Sequence, residues 1–327
     1  MWQRSLYYAS YGLATTLAAL RTSRPDIILA DAPALWNGLP LLVQAISKHI
    51  PFIYVLHDIY PDIAIRLGLL KNSLFISLIE RTERFFYRRA ARLSVLSEGF
   101  RDNLTRKGVP TGKVTVIPAC VDTDFVHPLC GDSKFREMWG LEGRFLVLYT
   151  ANIGLPQGLE NVLNAAQMLR DAPDIVFVFV GDGVARLALQ AMATKMGLTN
   201  VRFYPLQLRE AVPDVFGLAD VSLVSLKKGI TVEVVPSKMY NIMASGRPVL
   251  ATVEPKTEIA CLLERADCGL LVEPENAESL AQAVRQLHAN PSLCARMGQN
   301  GRRYVVAYYS RQVAAQAYEA LIRSIVR

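Results

Sequence analysis

Cysteine and histidine are scarce in this chain, and neither type is arranged as a ligand set. The five cysteines form no CxxC pair, and the four histidines lie at no metal-ligand spacing from a cysteine or from one another. An odd cysteine count without paired spacing is untypical of a disulfide scaffold and favours a reducing, cytoplasmic location. We therefore expect neither a structural zinc site nor a disulfide-linked, exported protein.

Long apolar runs and low-complexity segments are missing as well. The longest weakly polar run, from Leu6 to Leu20, is bounded by Arg4 and Arg21 and is too short and too polar to span a bilayer. It has the length of a signal peptide, but no small-residue cleavage site precedes the next predicted element. With 51% hydrophobic and 20% charged residues in 327, the chain is a folded protein of one large or two ordinary domains.

What the sequence does have is a regular alternation of short β-branched runs and helical stretches, which is typical of parallel sheets covered by helices. A first series of strands is predicted at residues 26–30, 51–57, 92–97 and 114–118, and a second series at residues 145–151, 175–181, 201–204, 221–226, 248–253 and 269–272. Such a pattern predicts an α/β protein with two doubly wound, Rossmann-like domains that face each other across a cleft.

Residues 119–144 are polar and irregular, and they predict a linker between the two domains. The N-terminal domain is expected to take residues 1–128 together with a C-terminal helix at residues 309–327. The C-terminal domain is expected to take residues 129–308. A stripe in the last helix, formed by Val313, Ala317, Leu321 and Ile325, must pack against a core.

Basic charge is concentrated in the N-terminal part of the chain. Residues 1–145 hold 18 Lys and Arg against 13 Asp and Glu, and the excess peaks between Arg81 and Lys113, where nine basic residues accompany three acids. Phe85 and Phe86 lie among these arginines. Three interpretations stay open: a solvated helix face, a nucleic-acid patch, or contact with an anionic membrane surface. No known nucleic-acid module surrounds the patch, so we expect no nucleic-acid partner.

The strongest functional signal runs from Gly229 to Val249. Pro236 and Ser237 suit the first turn of a helix, so free amide groups around Ser237 are expected beside the ammonium of Lys238. The positive end of a helix together with a cation favours an anion such as a diphosphate.

This segment resembles the donor-binding signature of the GT-B glycosyltransferases of family 4, especially the bacterial surface-polysaccharide enzymes. The family carries two glutamates separated by seven residues; here Glu233 stands at the first position and Asn241 at the second. The resemblance implies that the second residue contacts the donor ribose, where an amide can still accept a hydrogen bond.

A second matching string runs from Tyr149 to Gly158, with Asn152, Gly154 and Gln157 in a loop suited to the close approach of a phosphate. Most of the family has Arg in place of Asn152 and Lys in place of Gln157. A subset of bacterial surface-polysaccharide transferases resembles this chain at both positions. The absence of those two charges leaves more of the diphosphate charge for Lys238 to balance.

In the first domain, His57 is predicted at the carboxyl end of a strand, and it matches the family histidine that contacts the donor sugar. Asp58 and Asp62 follow it. They either orient the loop or meet the acceptor, and we favour a structural role for Asp62.

Two weaker motifs are rejected. The string Val180–Arg186 follows a strand like a dinucleotide fingerprint, but Arg186 stands where a small residue is needed, and no acid ends the next strand. Asp122 and Asp124 form an Asp-x-Asp pattern, but they lie in the predicted linker. We therefore expect no nicotinamide site and no catalytic metal.

The resemblance implies a retaining glycosyltransferase that moves a sugar from a nucleotide diphosphate donor, with a UDP-sugar favoured, to a lipid-linked or polysaccharide acceptor. It implies catalytic roles for His57, Glu233 and Lys238, and donor binding by Asn152, Gly154, Gln157, Ser237 and Asn241, with no metal or other cofactor. Nothing before Asp26 supplies the strands and glycine-rich loop that open the family's first domain, so we expect this domain to be incomplete. Two alternatives stay open: a nucleotide-sugar 2-epimerase and a catalytically silent nucleotide-binding subunit.

Overall fold

The computed structural model describes residues 2–32, 34–59, 62, 65, 70, 72–131, 133–230 and 235–326, and it divides the chain into two compact units. The first unit comprises Met1–Pro118 and Ala314–Arg327, and the second comprises Ala119–Val313. Each unit is a parallel sheet with helices, so the predicted pair of Rossmann-like α/β domains is confirmed.

The sheet of the first unit contains strands β1 (Ile28–Asp31), β2 (Phe52–Leu56), β3 (Arg92–Val95) and β4 (Val114–Val116), hydrogen-bonded side by side in that order. All pairs are parallel. Every residue of β2 is buried, as expected of an inner strand that is covered on both faces. The predicted strands therefore occur where the sequence placed them.

The helices of the first unit are α1 (Trp2–Arg21), α2 (Ala34–Ser47), α3 (Ser73–Arg89) and α4 (Glu98–Arg106). Helix α1 was not predicted from the sequence, and it packs against α2. Two helix starts have clear chemical causes: the Asn72 side chain accepts from the amides of Leu74 and Phe75, and the Ser97 side chain accepts from the amide of Phe100. No helix among the described residues is long and apolar enough to cross a membrane.

The sheet of the second unit has six parallel strands: β5 (Phe145–Thr150), β6 (Ile175–Val180), β7 (Val201–Tyr204), β8 (Val221–Ser225), β9 (Val249–Thr252) and β10 (Gly269–Val272). Their order is β10-β9-β8-β5-β6-β7. The chain therefore winds in both directions from the central pair of β5 and β8. That reversal is the place where the carboxyl ends of a doubly wound sheet usually bind a ligand.

Helices cover both faces of this sheet, because its strands are apolar on both sides. They are α5 (Lys134–Met138), α6 (Leu159–Met168), α7 (Arg186–Lys195), α8 (Val212–Gly217), α9 (Ser237–Ala244), α10 (Glu258–Ala266), α11 (Ala277–His288) and α12 (Pro291–Tyr309).

The predicted linker at residues 119–144 is wrong. Val121 and Val126 are buried in the same core as Met239 of α9, and the Arg302 guanidinium donates to the carbonyl of Val126 at 3.0 Å. The segment also contains α5, whose Phe135 is buried. These contacts make the segment part of the second unit, which begins at Ala119 rather than at residue 129.

The last helix, α13 (Arg311–Arg323), follows α12 after a break at Ser310 and packs within the first unit from Ala314 onward. Leu321 is buried against Ile53 and Val55 of β2, with Ala317 and Ile325 partly buried beside it. Three residues of the predicted apolar stripe thus pack against the core of the first unit, whereas Val313 belongs to the second unit, and the unit boundary falls at Ala314 instead of residue 309.

Candidate functional site

The loop after β5 is held by hydrogen bonds from three directions. The amide of Gly154 donates to Oε1 of Gln157 at 3.1 Å, and the hydroxyl of Ser225 donates to the Gln157 carbonyl at 2.6 Å. The hydroxyl of Tyr149 donates to the carbonyl of Asn152 at 2.8 Å. The loop is therefore fixed to β5 below it and to β8 beside it.

Gly154 has a steric role in this loop. A Cβ at Gly154 would lie 2.8 Å from Oε1 of Gln157 and 3.0 Å from Nδ2 of Asn152. A side chain there would push apart the two groups that the sequence analysis assigned to the donor. Glycine therefore keeps the backbone and both amide side chains close together.

The Gly-Asp-Gly sequence after β6 packs against the same loop. A Cβ at Gly183, whose φ is 153°, would lie 2.3 Å from the Ile153 carbonyl oxygen, and one at Gly181 would lie 2.1 Å from that of Ala151. The amide of Ile153 also donates to the Asp182 carbonyl at 2.8 Å. These close contacts with the backbone explain why both positions are glycine, and they do so without a bound dinucleotide.

The N-terminus of α9 carries the predicted anion-binding groups. Pro236 precedes the helix, and no side chain caps it, so the first amide groups are left without a side-chain acceptor. Ser237 is exposed and Lys238 is half-buried. The helix end therefore offers backbone donors, and Lys238 lies in its first turn.

The ammonium of Lys238 lies over the ring of Tyr149, with Nζ 4.2 Å from the ring centroid. Burial lowers the pKa of Lys238 to about 7, because an apolar environment disfavours the charged form. In the part of the chain that the structure describes, no carboxylate offsets this cost. An anionic ligand would do so, and it would raise the pKa of Lys238.

The structure thus brings together Asn152, Gly154, Gln157, Ser237 and Lys238, all at the carboxyl edge of the second unit's sheet. Asn241 lies one turn further along α9 and is half-buried. Glu233 lies outside the described residues. The roles of all these side chains stay predictions.

His57 belongs to the first unit, where it follows β2, and Asp31 ends the neighbouring β1. Nε2 of His57 lies 3.4 Å from Oδ1 of Asp31, and both side chains are more than half exposed. Partial burial raises the pKa of Asp58, and the adjacent His57 opposes that shift. The predicted position at the carboxyl end of a strand is confirmed, while the proposed contact with a sugar stays a prediction.

Asp62 lies in a polar cluster within the first unit. Its carboxylate accepts from Nζ of Lys107 at 2.6 Å and from Nδ2 of Asn103 at 3.1 Å. Both partners come from the α4 region, so the carboxylate ties Asp62 to the end of that helix. This arrangement supports the structural role that the sequence analysis favoured.

Asp122 of the Asp-x-Asp pair has partners within the second unit. Asp122 accepts from the amide of Phe125 at 3.1 Å and forms an ion pair with Arg311 at 2.7 Å. Among the described residues, no group of three or more His, Cys, Asp or Glu side chains could hold a metal ion.

Sequence reasoning missed Tyr149 as part of this site. The residue sits in an apolar strand and is fully buried, so its pattern is that of a core position. Its contact with Lys238, which comes from a helix distant in sequence, is visible only in the structure.

Comparison with known proteins identifies the class to which this fold and site belong. The family model for glycosyl transferases group 1 matches residues 132–304, and the model for Glycosyltransferase Family 4 matches residues 2–125. The first match covers more than half of the chain. The chain belongs to the group 1 glycosyl transferases, which confirms the resemblance on which the site prediction depended.

Two relatives are similar along most of this chain. WcaI of Escherichia coli K12, named for colanic acid biosynthesis, is 33% identical over 297 residues, which cover 87% of this chain and 72% of WcaI. WbjE of Pseudomonas aeruginosa, named as a glycosyltransferase, is 28% identical over 94% of this chain and 76% of WbjE. The expected similarity to bacterial surface-polysaccharide enzymes is therefore confirmed.

Among solved structures, HepE of Anabaena in complex with UDP and glucose has the same fold. Its TM-score is 0.74 at 18% identity, covering 94% of this chain and 79% of HepE. At this identity the comparison establishes the fold alone, which is that of the GT-B glycosyltransferases.

Proposed function

We propose that this glycosyltransferase moves a sugar, with retention of anomeric configuration, from a UDP-sugar to a lipid-linked or polysaccharide acceptor in surface-glycan biosynthesis. WcaI is named for colanic acid biosynthesis, which supports a surface-glycan pathway. HepE was solved in complex with UDP and glucose, which supports a UDP-sugar donor. Retention is proposed from the resemblance to family 4. The lipid-linked or polysaccharide acceptor is proposed from the same resemblance.

One observation carries the proposal. The uncapped N-terminus of α9, the Lys238 ammonium and the loop from Asn152 to Gln157 meet around the side chain of Tyr149. A diphosphate placed there would accept from backbone amides and from an ammonium that has no carboxylate partner among the described residues. It would also regain the charge stabilisation that burial removes from Lys238.

The same arrangement suits the chemistry of donor cleavage. As the anomeric bond breaks, negative charge develops on the leaving diphosphate and positive charge on the sugar ring. Groups that bind a diphosphate more strongly as its charge grows lower the barrier. Lys238 and the amides of α9 would do this at the phosphates, so we propose catalysis without a metal ion or other cofactor.

The remaining predicted residues are assigned to the sugar and the ribose. We propose that Glu233 holds sugar hydroxyls, that His57 contacts the sugar, and that Asn241 accepts from a ribose hydroxyl. An amide accepts a hydrogen bond without the charge of a carboxylate, so the ribose is expected to be held more weakly than by glutamate.

The first unit offers a surface that suits a membrane-linked acceptor. The exposed face of α3 carries Leu74, Phe75, Leu78 and Phe85, all more than 40% exposed, and Arg88 and Arg89 are exposed near its end. We propose that this face binds reversibly to an anionic membrane, since each cation near such a surface contributes about 1 kcal/mol. Phe86 is buried at 3% exposure, so of the two phenylalanines only Phe85 is available for this role.

A donor panel tests the enzymatic proposal. The full chain is incubated with UDP- and GDP-sugars and with bacterial lipid extract, and transfer, hydrolysis and epimerisation are followed by mass spectrometry and NMR. We expect transfer from a UDP-sugar with the donor's anomeric configuration kept in the product. Lys238→Met should abolish transfer, and Lys195→Met, an exposed lysine at the far end of α7, should not.

Three results would contradict the proposal. Epimerised donor without transfer would favour a nucleotide-sugar 2-epimerase. Nucleotide binding without any turnover would favour a catalytically silent subunit. Transfer with inversion would refute the retaining mechanism.

A further inference from the structure

Tyr149 touches both segments that we assign to the donor diphosphate, although its side chain is fully buried. It belongs to β5, and its ring lies 6.1 Å from that of Phe179 on the adjacent β6. Buried rings packed between strands have little freedom to move. Tyr149 is therefore a fixed point beneath a site whose other members lie on a loop and a helix end.

The ring makes the first of its two contacts with Lys238. An ammonium over an aromatic face is attracted by the electron-rich ring, and the distance of 4.2 Å lies within the usual range. This attraction directs the ammonium without using any of its three N–H donors in a conventional hydrogen bond. The donors stay available for an anion.

The hydroxyl makes the second contact. It donates to the Asn152 carbonyl at 2.8 Å, at the beginning of the loop that Gln157 closes through Gly154. A phenylalanine would fill the same core space but could not make this bond. A leucine would make neither contact.

We propose that Tyr149 is a positioning residue for the donor diphosphate. Its ring holds the Lys238 ammonium and its hydroxyl holds the backbone at Asn152, so a single rigid side chain sets the spacing between the two phosphate-binding segments. This inference rests on the proposed function, because the diphosphate is the ligand proposed there.

The contributions of the ring and of the hydroxyl can be separated by measuring UDP affinity by calorimetry. The measurement uses Tyr149 variants made both in the wild type and in the Lys238→Met variant. Tyr149→Phe removes only the hydroxyl bond and should weaken UDP binding about threefold, whether or not Lys238→Met is also present. Tyr149→Leu removes the ring as well. It should weaken binding about tenfold more than Tyr149→Phe in the presence of Lys238, but less than twofold more in the Lys238→Met background.

A tyrosine that only fills the core would give a different pattern. The additional loss of UDP affinity from Tyr149→Phe to Tyr149→Leu would then be the same with Lys238 present and in the Lys238→Met variant. Such equal losses would overturn the proposal. Unchanged affinity in Tyr149→Phe would also overturn it. Phe177→Leu, which removes another fully buried ring from the same core, is the matched control and should leave UDP affinity within twofold. Tyr149→Met replaces Tyr149→Leu if the latter does not fold.

A second measurement needs no nucleotide. The pH dependence of Lys238 acetylation, followed by mass spectrometry, gives the midpoint at which its amine becomes neutral. We expect the midpoint near pH 7 in the wild type and in Tyr149→Phe, and a lower midpoint in Tyr149→Leu, where burial persists but the attraction of the ring is lost. An unchanged midpoint in Tyr149→Leu would refute the ring's role. If the wild type does not bind UDP, the proposed function fails and the role of Tyr149 in diphosphate binding fails with it, whereas a lower midpoint in Tyr149→Leu alone would still show that the ring holds the ammonium.

Discussion

UDP affinity should fall as the pH rises above 7, because the group that we place against the diphosphate loses its proton there. Burial lowers the pKa of Lys238 to about 7 in the free protein, and a bound diphosphate would raise it. UDP therefore favours the ammonium form, and binding takes up a proton at pH values between the pKa of the free amine and that of the amine in the complex. The lysine's contribution is fully present below pH 7 and is lost as the pH rises above that value.

The size of the effect follows from two limits. Between pH 7 and pH 9 the protonated fraction of the free amine falls from about one half to about 1%, which corresponds to an affinity loss of about 50-fold. The loss cannot exceed the whole contribution of the lysine, which for a hydrogen bond to a charged group is about 1.5–3 kcal/mol, or about 10- to 150-fold. Because half of the free amine is already neutral at pH 7, we expect a decrease of about 5- to 30-fold across this range.

Calorimetric titration with UDP at several pH values between 7 and 9 measures this decrease. The terminal phosphate of UDP is fully ionised in this range, since its second pKa is about 6. Repeating the titration in buffers of different ionisation enthalpy counts the protons taken up, which should reach a maximum of about one half to one proton per UDP near pH 8 and fall again towards pH 9. Lys238→Met should show a weak, pH-independent affinity that the wild type approaches at pH 9. A wild-type affinity that stays constant from pH 7 to 9, or exceeds that of Lys238→Met by the same factor throughout, would refute the reasoning.

Four further outcomes are expected. Lys238→Met should raise the melting temperature of the nucleotide-free protein, and more so at pH 6.5 than at pH 9.5, because the buried ammonium destabilises the fold most when it is charged; an equal or lower melting temperature would show that the ammonium is well solvated. Asn241→Glu should tighten UDP binding about threefold to tenfold by restoring a carboxylate towards the ribose, and calorimetry showing weaker binding would remove this residue from the ribose site. Sugar transfer should persist in EDTA, and a loss that Mg²⁺ restores would contradict metal-free catalysis. In liposome sedimentation, binding to anionic vesicles should decrease in high salt and in the Arg88→Glu, Arg89→Glu double variant; equal sedimentation of variant and wild type would exclude the α3 face.

The sheets of both units could be predicted because inner parallel strands are buried on both faces and read as continuous apolar runs. The boundary between the two units, at Ala119, could not be predicted from the sequence. Val121 and Val126 lie in a stretch of mixed polar and apolar residues, and only their contact with α9 makes them part of the second core. Such burial depends on residues far away in the chain, which local composition does not report.

The candidate site, too, was predictable only in part. Lys238 and Ser237 were predictable, since a Pro-Ser start and an adjacent lysine are local features of one helix end. The position of the ammonium over Tyr149 was not, because it depends on the approach of α9 to β5. Phe85 and Phe86 are adjacent on one helix, and composition alone could not show which of them is exposed. The orientation of α3 shows that Phe86 is buried and Phe85 is exposed.

The return of the chain to the first unit has a consequence for biosynthesis. Leu321 completes the core beside β2, yet it is translated after every residue of the second unit. The first unit therefore emerges from the ribosome well before its last helix exists, with part of the β2 core uncovered in the meantime. The second unit therefore has all its own residues before the first one does. A chain released before α13 would lose packing in the unit that was made first.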